Sequence, residues 1–180
     1  MPKVIVTAYN PEWAVGFERL KALIWPAVSD FALSVEHVGS TSVVGLAAKP
    51  VIDLDVVIPG AEYLPLAVRR LATLGYTHRG DLGIEGRDAF EAPQGLPRHH
   101  LYVCPQGSLG LRNHLALRDY LRAHPEAVRA YAKLKLELAR QYPYDIDRYV
   151  EGKTGMILGF LREMGLGADH LESVRRQNGG

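Results

Sequence analysis

In the run VIDLDVVI, residues 51–58, two aspartates stand two positions apart in otherwise apolar, β-branched sequence. Side chains alternate across a strand, so Asp53 and Asp55 share one face with Val51 and Val57, while Ile52, Leu54, Val56 and Ile58 take the other. Two carboxylates about 7 Å apart on one strand face call for a compensating cation. Mg²⁺ suits them, because it joins one or two carboxylates to substrate phosphates while keeping several waters. The strand therefore predicts a phosphate-bearing ligand. The plainer alternative is a strand-end pair neutralised by Lys49 or an arginine.

The loop before the strand, GSTSVVGLAAKP, supplies a complementary half. Gly39 lets a backbone approach closely, Ser40, Thr41 and Ser42 offer hydroxyl and amide donors to phosphate oxygens, and Lys49 adds positive charge. The alternative is that GSTS is only a polar turn.

Further along, His100 and Tyr102 share a face of the strand-like run HHLYVC. An imidazole titrates near neutral pH, so His100 suits a metal ligand or a base, the alternative being a buried hydrogen-bonded histidine. Lys153 shares a helical face with Tyr149, Met156 and Phe160, so its ammonium either snorkels outward or is aimed at a phosphate or the aspartates. Gly155 and Gly159 are expected to let that helix approach the sheet. Of the two arginines flanking the hairpin region, Arg98 is favoured over Arg87 as a phosphate clamp because it adjoins the histidines. His114, His124 and His170 have no metal-like spacing and read as structural or exposed, with His124 next to the helix-opening Pro125. Cys104, the only cysteine, reads as core.

These groups need a sheet and helices to hold them. VIVTAY reads as a first strand, and Asn10 caps a helix whose Trp13, Phe17, Leu20 and Ile24 form a buried face. Residues 31–38 and 51–58 read as strands, and AEYLPLAVRRLATLG as a helix stopping at Gly75 with Arg69 and Arg70 on its wet side. Between Tyr76 and Cys104 glycines and prolines punctuate short antiparallel strands and hairpins. Helices follow over about 111–123, 125–141 and 147–164, with a frayed tail after Gly165. In the middle one Val128, Tyr131, Leu134 and Leu138 form the buried stripe, while Arg129, Lys133, Glu137 and Arg140 face water.

The 180 residues are 47% apolar, enough for one sizeable core, and are read as one domain over 1–180 with its core at about 3–165. A formal net charge of +1 disfavours non-specific nucleic-acid binding. No run reaches the roughly 20 apolar residues of a membrane span, so no membrane partner and a cytoplasmic location are expected. A homo-oligomer is compatible with the composition.

Gly-Ser followed after a short loop by Asp-x-Asp on a strand resembles the signature of the nucleotidyltransferase fold. The stretches EHVGSTSVVGLAAKPVIDLDVVI, RHHLYV and LRDYLRAHPEAVRAYAKLKLELA together resemble the GrpB family across nearly the whole chain. That family is placed in the nucleotidyltransferase superfamily, and a similar domain is fused to dephospho-CoA kinase in some proteins. The resemblance implies an α/β (α+β) nucleotidyltransferase-like fold, a mixed β-sheet with flanking helices and a helical C-terminal third. It assigns Gly39 and Ser40 to the phosphate side, Asp53 and Asp55 to the metal, His99 and His100 to the histidine motif and Lys49 to a family lysine. Val44 departs from a usual proline, and Tyr102 replaces the second histidine of a His-x-His pattern. The superfamily's third carboxylate has no counterpart in RHHLYVC, Glu91 in DAFEAP being the alternative.

The expected function is Mg²⁺-dependent transfer of a nucleotidyl group from ATP or another NTP to an unknown small-molecule or protein acceptor. Gly39 and Ser40, helped by Thr41 and Ser42, would hold phosphates, Asp53 and Asp55 the metal, and Lys49, Arg98 or Lys153 would offset charge. His100 would be base or ligand. The alternatives are a nucleotide- or metal-binding module that has lost transfer, and a metal-dependent phosphohydrolase.

Overall fold

The computed structural model describes residues 3–167 and 172. Five strands, β1 (Ser34–Val38), β2 (Ile52–Ile58), β3 (Thr77–His78), β4 (Asp88–Glu91) and β5 (His99–Pro105), form one mixed sheet in the order β1-β2-β5-β4-β3. β1 is antiparallel to β2, β2 runs parallel to β5, and β4 is antiparallel to both β5 and β3.

β2 lies inside the sheet, between β1 and β5, and both its faces are apolar apart from the aspartates. Ile52, Leu54, Val56 and Ile58 pack beneath helices α1 (Glu12–Val28) and α2 (Leu64–Ala72), through Phe17, Leu20, Ile24, Ala67 and Leu71. Asn10 starts α1 as expected, its Oδ1 accepting the Glu12 N–H at 3.0 Å.

On the other face lie α3 (Leu109–Ala123), α4 (Pro125–Gln141) and α5 (Ile146–Glu163). Val57 and Cys104 meet Leu111 of α3 there, so Cys104 is core as expected and burial pushes its thiol pKa upward. Pro125 opens α4, and Asp145 caps α5 by accepting the Arg148 N–H at 3.1 Å.

Three expectations are corrected. VIVTAY makes no strand: Thr7 and Ala48 form an isolated antiparallel bridge, and Val4 donates its N–H to the Pro143 carbonyl at 2.8 Å. The segment buries Val4 against Leu138 and Tyr149 rather than extending the sheet. Gly155 and Gly159 meet nothing, whereas a Cβ on Gly152 would lie 2.5 Å from Leu138 Cδ2. Gly152 is thus the close approach, and Gly152→Ala is expected to cost about 1–3 kcal/mol by overpacking, read as a lower melting temperature in scanning calorimetry. The α4 stripe contains Lys135, at 2% exposure, in company with Val128, Tyr131 and Leu138. The tail beyond residue 167, His170 included, lies outside the described residues apart from Glu172.

Candidate functional site

The loop between β1 and β2 tightens into a 3-10 turn at Ser40–Ser42, and Gly39 enters it at φ +70°. A side chain is excluded there twice over, since a Cβ would sit 2.3 Å from Asp53 Oδ2. Gly39→Ala therefore both strains the turn and pushes Asp53 aside. It is expected to lower the melting temperature in scanning calorimetry, by about 1–3 kcal/mol of stability.

The turn is tied down from outside. Arg122 of α3 donates from Nη2 and Nε to the Ser42 carbonyl at 2.8 and 3.1 Å, and Ser42 Oγ donates to the Gly39 carbonyl at 2.6 Å. Thr41 Oγ1 is hydrogen-bonded to His37 Nε2 at 3.0 Å, and burial against Phe17 pushes the His37 pKa down to about 4. The hydroxyls of Thr41 and Ser42 thus hold the turn itself, contrary to the expectation that they serve phosphate. Gly39, Ser40 and Thr41 still border the cavity described next.

That cavity, of about 260 Å³, is enclosed by the 38–41 turn, Lys49, Asp53, His100, Tyr102, His114, Lys135, Tyr149 and Lys153. It brings together both halves predicted from the sequence. Asp53 is partly exposed and meets His100 Nδ1 at 2.9 Å from the facing position on β5. Asp55, fully buried, meets His114 Nδ1 of α3 at 2.7 Å through Oδ2, while its Oδ1 is buried without a hydrogen-bond partner. Burial disfavours the His114 cation, but the charge and hydrogen bond of Asp55 outweigh it and raise the pKa above the ordinary value.

Of the two readings of His114, structural or exposed, the structural one fits: it is the partner that a buried aspartate demands. The clue lay in Asp55 itself, a carboxylate inside an apolar strand with no adjacent cation in sequence.

Lysines supply the other wall. The Nζ of Lys153 and of Lys49 lie 4.6 and 5.9 Å from the Tyr149 ring centroid, and Lys135 Nζ lies 5.1 Å from that of Tyr131. Burial lowers the pKa of all three, Lys153 to about 8 and Lys135 well below its usual value. Lys153 is thus aimed inward rather than snorkelling. Lys135 escaped the sequence reading because Leu134, one position earlier, also fits a helical stripe; the spacing 128, 131, 135, 138 would have found it.

Two expected residues are rearranged. Arg98 is exposed on an outer groove with Lys3, Pro50 and Tyr144, outside the cavity, because its strand-leading position turns it to solvent. Arg87 instead approaches the site, its guanidinium 4.4 Å from the Tyr102 ring centroid. His99 faces away from the cavity: Nδ1 donates to the Pro97 carbonyl at 2.6 Å, leaving Nε2 to accept from the Tyr76 hydroxyl at 2.8 Å. It is structural. Glu91 is exposed and ion-paired with Arg79, so it is no third acid.

Tyr102 occupies the β5 position facing Asp55, and burial pushes its hydroxyl up to about 12. Among the described residues no group of three or more His, Cys, Asp and Glu is placed to hold a metal. His100, engaged by Asp53, is not a third metal ligand with the aspartates. The partnerless Asp55 Oδ1 and the neighbouring Asp53 carboxylate nevertheless fit Mg²⁺, which needs only one or two protein carboxylates when phosphate and water complete its shell.

Residues 3–163 match the model of the family described as GrpB protein. The chain belongs to the GrpB family. It is 38% identical over 159 residues to YqkA of Bacillus subtilis, covering 86% of this chain and 45% of YqkA, so it spans just under half of that relative. The crystal structure of GrpB from Enterococcus faecalis superposes with a TM-score of 0.78 at 32% identity, covering 96% of this chain and 99% of that one. The GLD-2/RNP-8 complex (TM-score 0.59, 15% identity, 86% of this chain and 61% of that one) and Cid1 poly(U) polymerase (0.52, 13%, 83% and 49%) share the fold at low identity. The GrpB chain thus has a nucleotidyltransferase-like fold, as its sequence resemblance implied. No helix among its described residues is long and apolar enough to cross a membrane.

Proposed function

We propose that this GrpB chain is a Mg²⁺-dependent nucleotidyltransferase that acts on a nucleoside triphosphate in the cytosol. The observation carrying this reading is the convergence on one cavity of the aspartate strand, the Gly39–Ser40 turn and three lysines without an ion pair among the described residues. Nucleotidyl transfer is also the chemistry named for the fold neighbour Cid1, a poly(U) polymerase.

In the reaction an acceptor hydroxyl oxygen bonds to the α-phosphorus, the bond from that phosphorus to the bridging oxygen breaks, and pyrophosphate leaves. Asp53 and Asp55 would hold Mg²⁺, which would supply charge neutralisation. The Gly39–Ser40 turn offers amide and hydroxyl donors to phosphate oxygens. Lys49, Lys135 and Lys153 offset the charge gathering on pyrophosphate. His100, half exposed and oriented by Asp53, takes the acceptor proton in place of a carboxylate. The balanced net charge favours a small molecule or protein over nucleic acid as acceptor.

One observation favours a second reading. Asp53 is the only carboxylate among the cavity's described lining residues, which fits a nucleotide-binding module without transfer activity. Incubating the chain with Mg²⁺, each NTP and a small-molecule extract separates these readings. Transfer predicts acceptor-dependent pyrophosphate release, lost in Asp53→Asn. Release of phosphate or pyrophosphate without acceptor points to a phosphohydrolase, and no release with intact binding points to the module.

A further inference from the structure

Lys49, Lys135 and Lys153 come from the β1–β2 loop, α4 and α5, so their meeting is a product of the fold and not of local sequence. Among the described residues none of the three forms an ion pair. The one carboxylate on the cavity wall, Asp53, is engaged by His100, and Asp55 behind it by His114. Tyr149, whose ring lies under Lys49 and Lys153, lines the same cavity, and its hydroxyl is buried without a hydrogen-bond partner. Buried cations ordinarily have partners, so these donors point to an anion from outside with several charges in a row.

We propose that Lys49, Lys135, Lys153 and the Tyr149 hydroxyl form a site for a condensed phosphate chain that needs no metal, and that the chain enters together with protons. The inference deepens the nucleotide reading, on which it rests for the identity of the cavity: the lysines take the terminal phosphates and leave the aspartates to Mg²⁺.

Proton uptake follows from the geometry. Burial, and then repulsion among the lysines, holds these amines below their usual pKa. The groups facing them are Asp53 from β2, His100 and Tyr102 from β5, His114 from α3, Tyr131 from α4 and Tyr149 from α5, with Arg98 beside Lys49 on its outer side, and Asp53 alone is a carboxylate. A polyphosphate placed among the amines favours their charged forms and raises those pKa values. At pH 8.5, above the Lys153 value of about 8, the Lys153 amine of the free protein is more neutral than charged and the complex favours its ammonium, so binding takes protons from buffer. A surface site of ordinary lysines, already charged at that pH, takes up none.

The test is calorimetric titration of tripolyphosphate into the full chain at pH 8.5 with EDTA, in two buffers of different ionisation enthalpy. Saturable binding with net proton uptake is expected. Lys135→Met and Lys153→Met should each weaken binding tenfold or more. Lys153→Arg keeps a charge that does not titrate in this range, so it should retain binding with reduced uptake. No binding in EDTA, binding without proton uptake, or binding unchanged in the methionine variants overturns the inference. ATP run alongside separates the sources of the phosphate chain. Mg²⁺-dependent ATP binding without tripolyphosphate binding overturns the inference alone. Tripolyphosphate binding with no nucleotide binding, with or without Mg²⁺, upholds the inference and overturns the nucleotide reading.

Discussion

His114→Leu is expected to destabilise the fold by about 3–5 kcal/mol, the range for breaking a buried charge pair by removing one partner. Asp55 has no exposed surface, its Oδ2 has His114 Nδ1 at 2.7 Å, and its Oδ1 has no partner at all. The leucine leaves that fully buried carboxylate without a hydrogen-bond partner on either oxygen. For a chain of this length each kcal/mol moves the melting temperature by about 2–4 °C, so scanning calorimetry should show a fall of roughly 6–20 °C. A double variant, His114→Leu with Asp55→Leu, should recover most of the loss, because it removes the stranded charge along with its partner. If the double variant is as unstable as the single one, packing rather than charge explains the loss.

Lys135→Met should act in the opposite direction. Lys135 is 2% exposed, and burial, together with its neighbour Lys153, holds its pKa well below the usual value. Methionine replaces the stem with a similar apolar volume and removes a charge that folding must desolvate. A gain of about 1–4 kcal/mol is expected, the range seen when buried ionic groups give way to apolar ones. The sign follows from linkage: a lysine whose folded pKa is depressed binds fewer protons folded than unfolded, so its penalty is fully present below the folded pKa and relieved as pH rises from there toward the unfolded value near 10.4. The methionine variant should accordingly melt higher at pH 7, with the difference narrowing in alkali. A stabilising substitution that also impairs phosphate binding is what a site held under strain for function predicts.

Much of this architecture was legible in the sequence because it follows from local periodicity. Strict alternation in IDLDVVI placed Asp53 and Asp55 on one face and their apolar neighbours on the other. Pro125 and Asn10 marked helix starts at the places observed. The Gly39 turn was readable because a close backbone approach needs glycine, and Asp53 proves to be what it approaches.

What was not legible depends on contacts between distant segments. His114 lies 59 positions from Asp55, and no spacing rule links them. Lys135 sits in a stripe whose register two neighbouring positions could satisfy, and its partners come from a loop and another helix. Arg98 lies outside the cavity and Arg87 lies over Tyr102 because their side-chain directions depend on where β5 begins and how Tyr102 is covered. VIVTAY has strand composition, yet the available hydrogen-bond partners are Ala48 and Pro143 rather than a sheet edge.

The central claim, a Mg²⁺-dependent nucleotide site on the aspartate strand, is tested most directly by titrating ATP, GTP, CTP and UTP into the chain by calorimetry, with and without Mg²⁺. The same titrations are made with Asp53→Asn/Asp55→Asn, after its melting temperature is compared with that of the parent. At least one nucleotide should bind in the presence of Mg²⁺ and lose that binding by a hundredfold or more in the folded variant. Absence of binding by all four nucleotides, or Mg²⁺-dependent binding that survives in the variant, would contradict it.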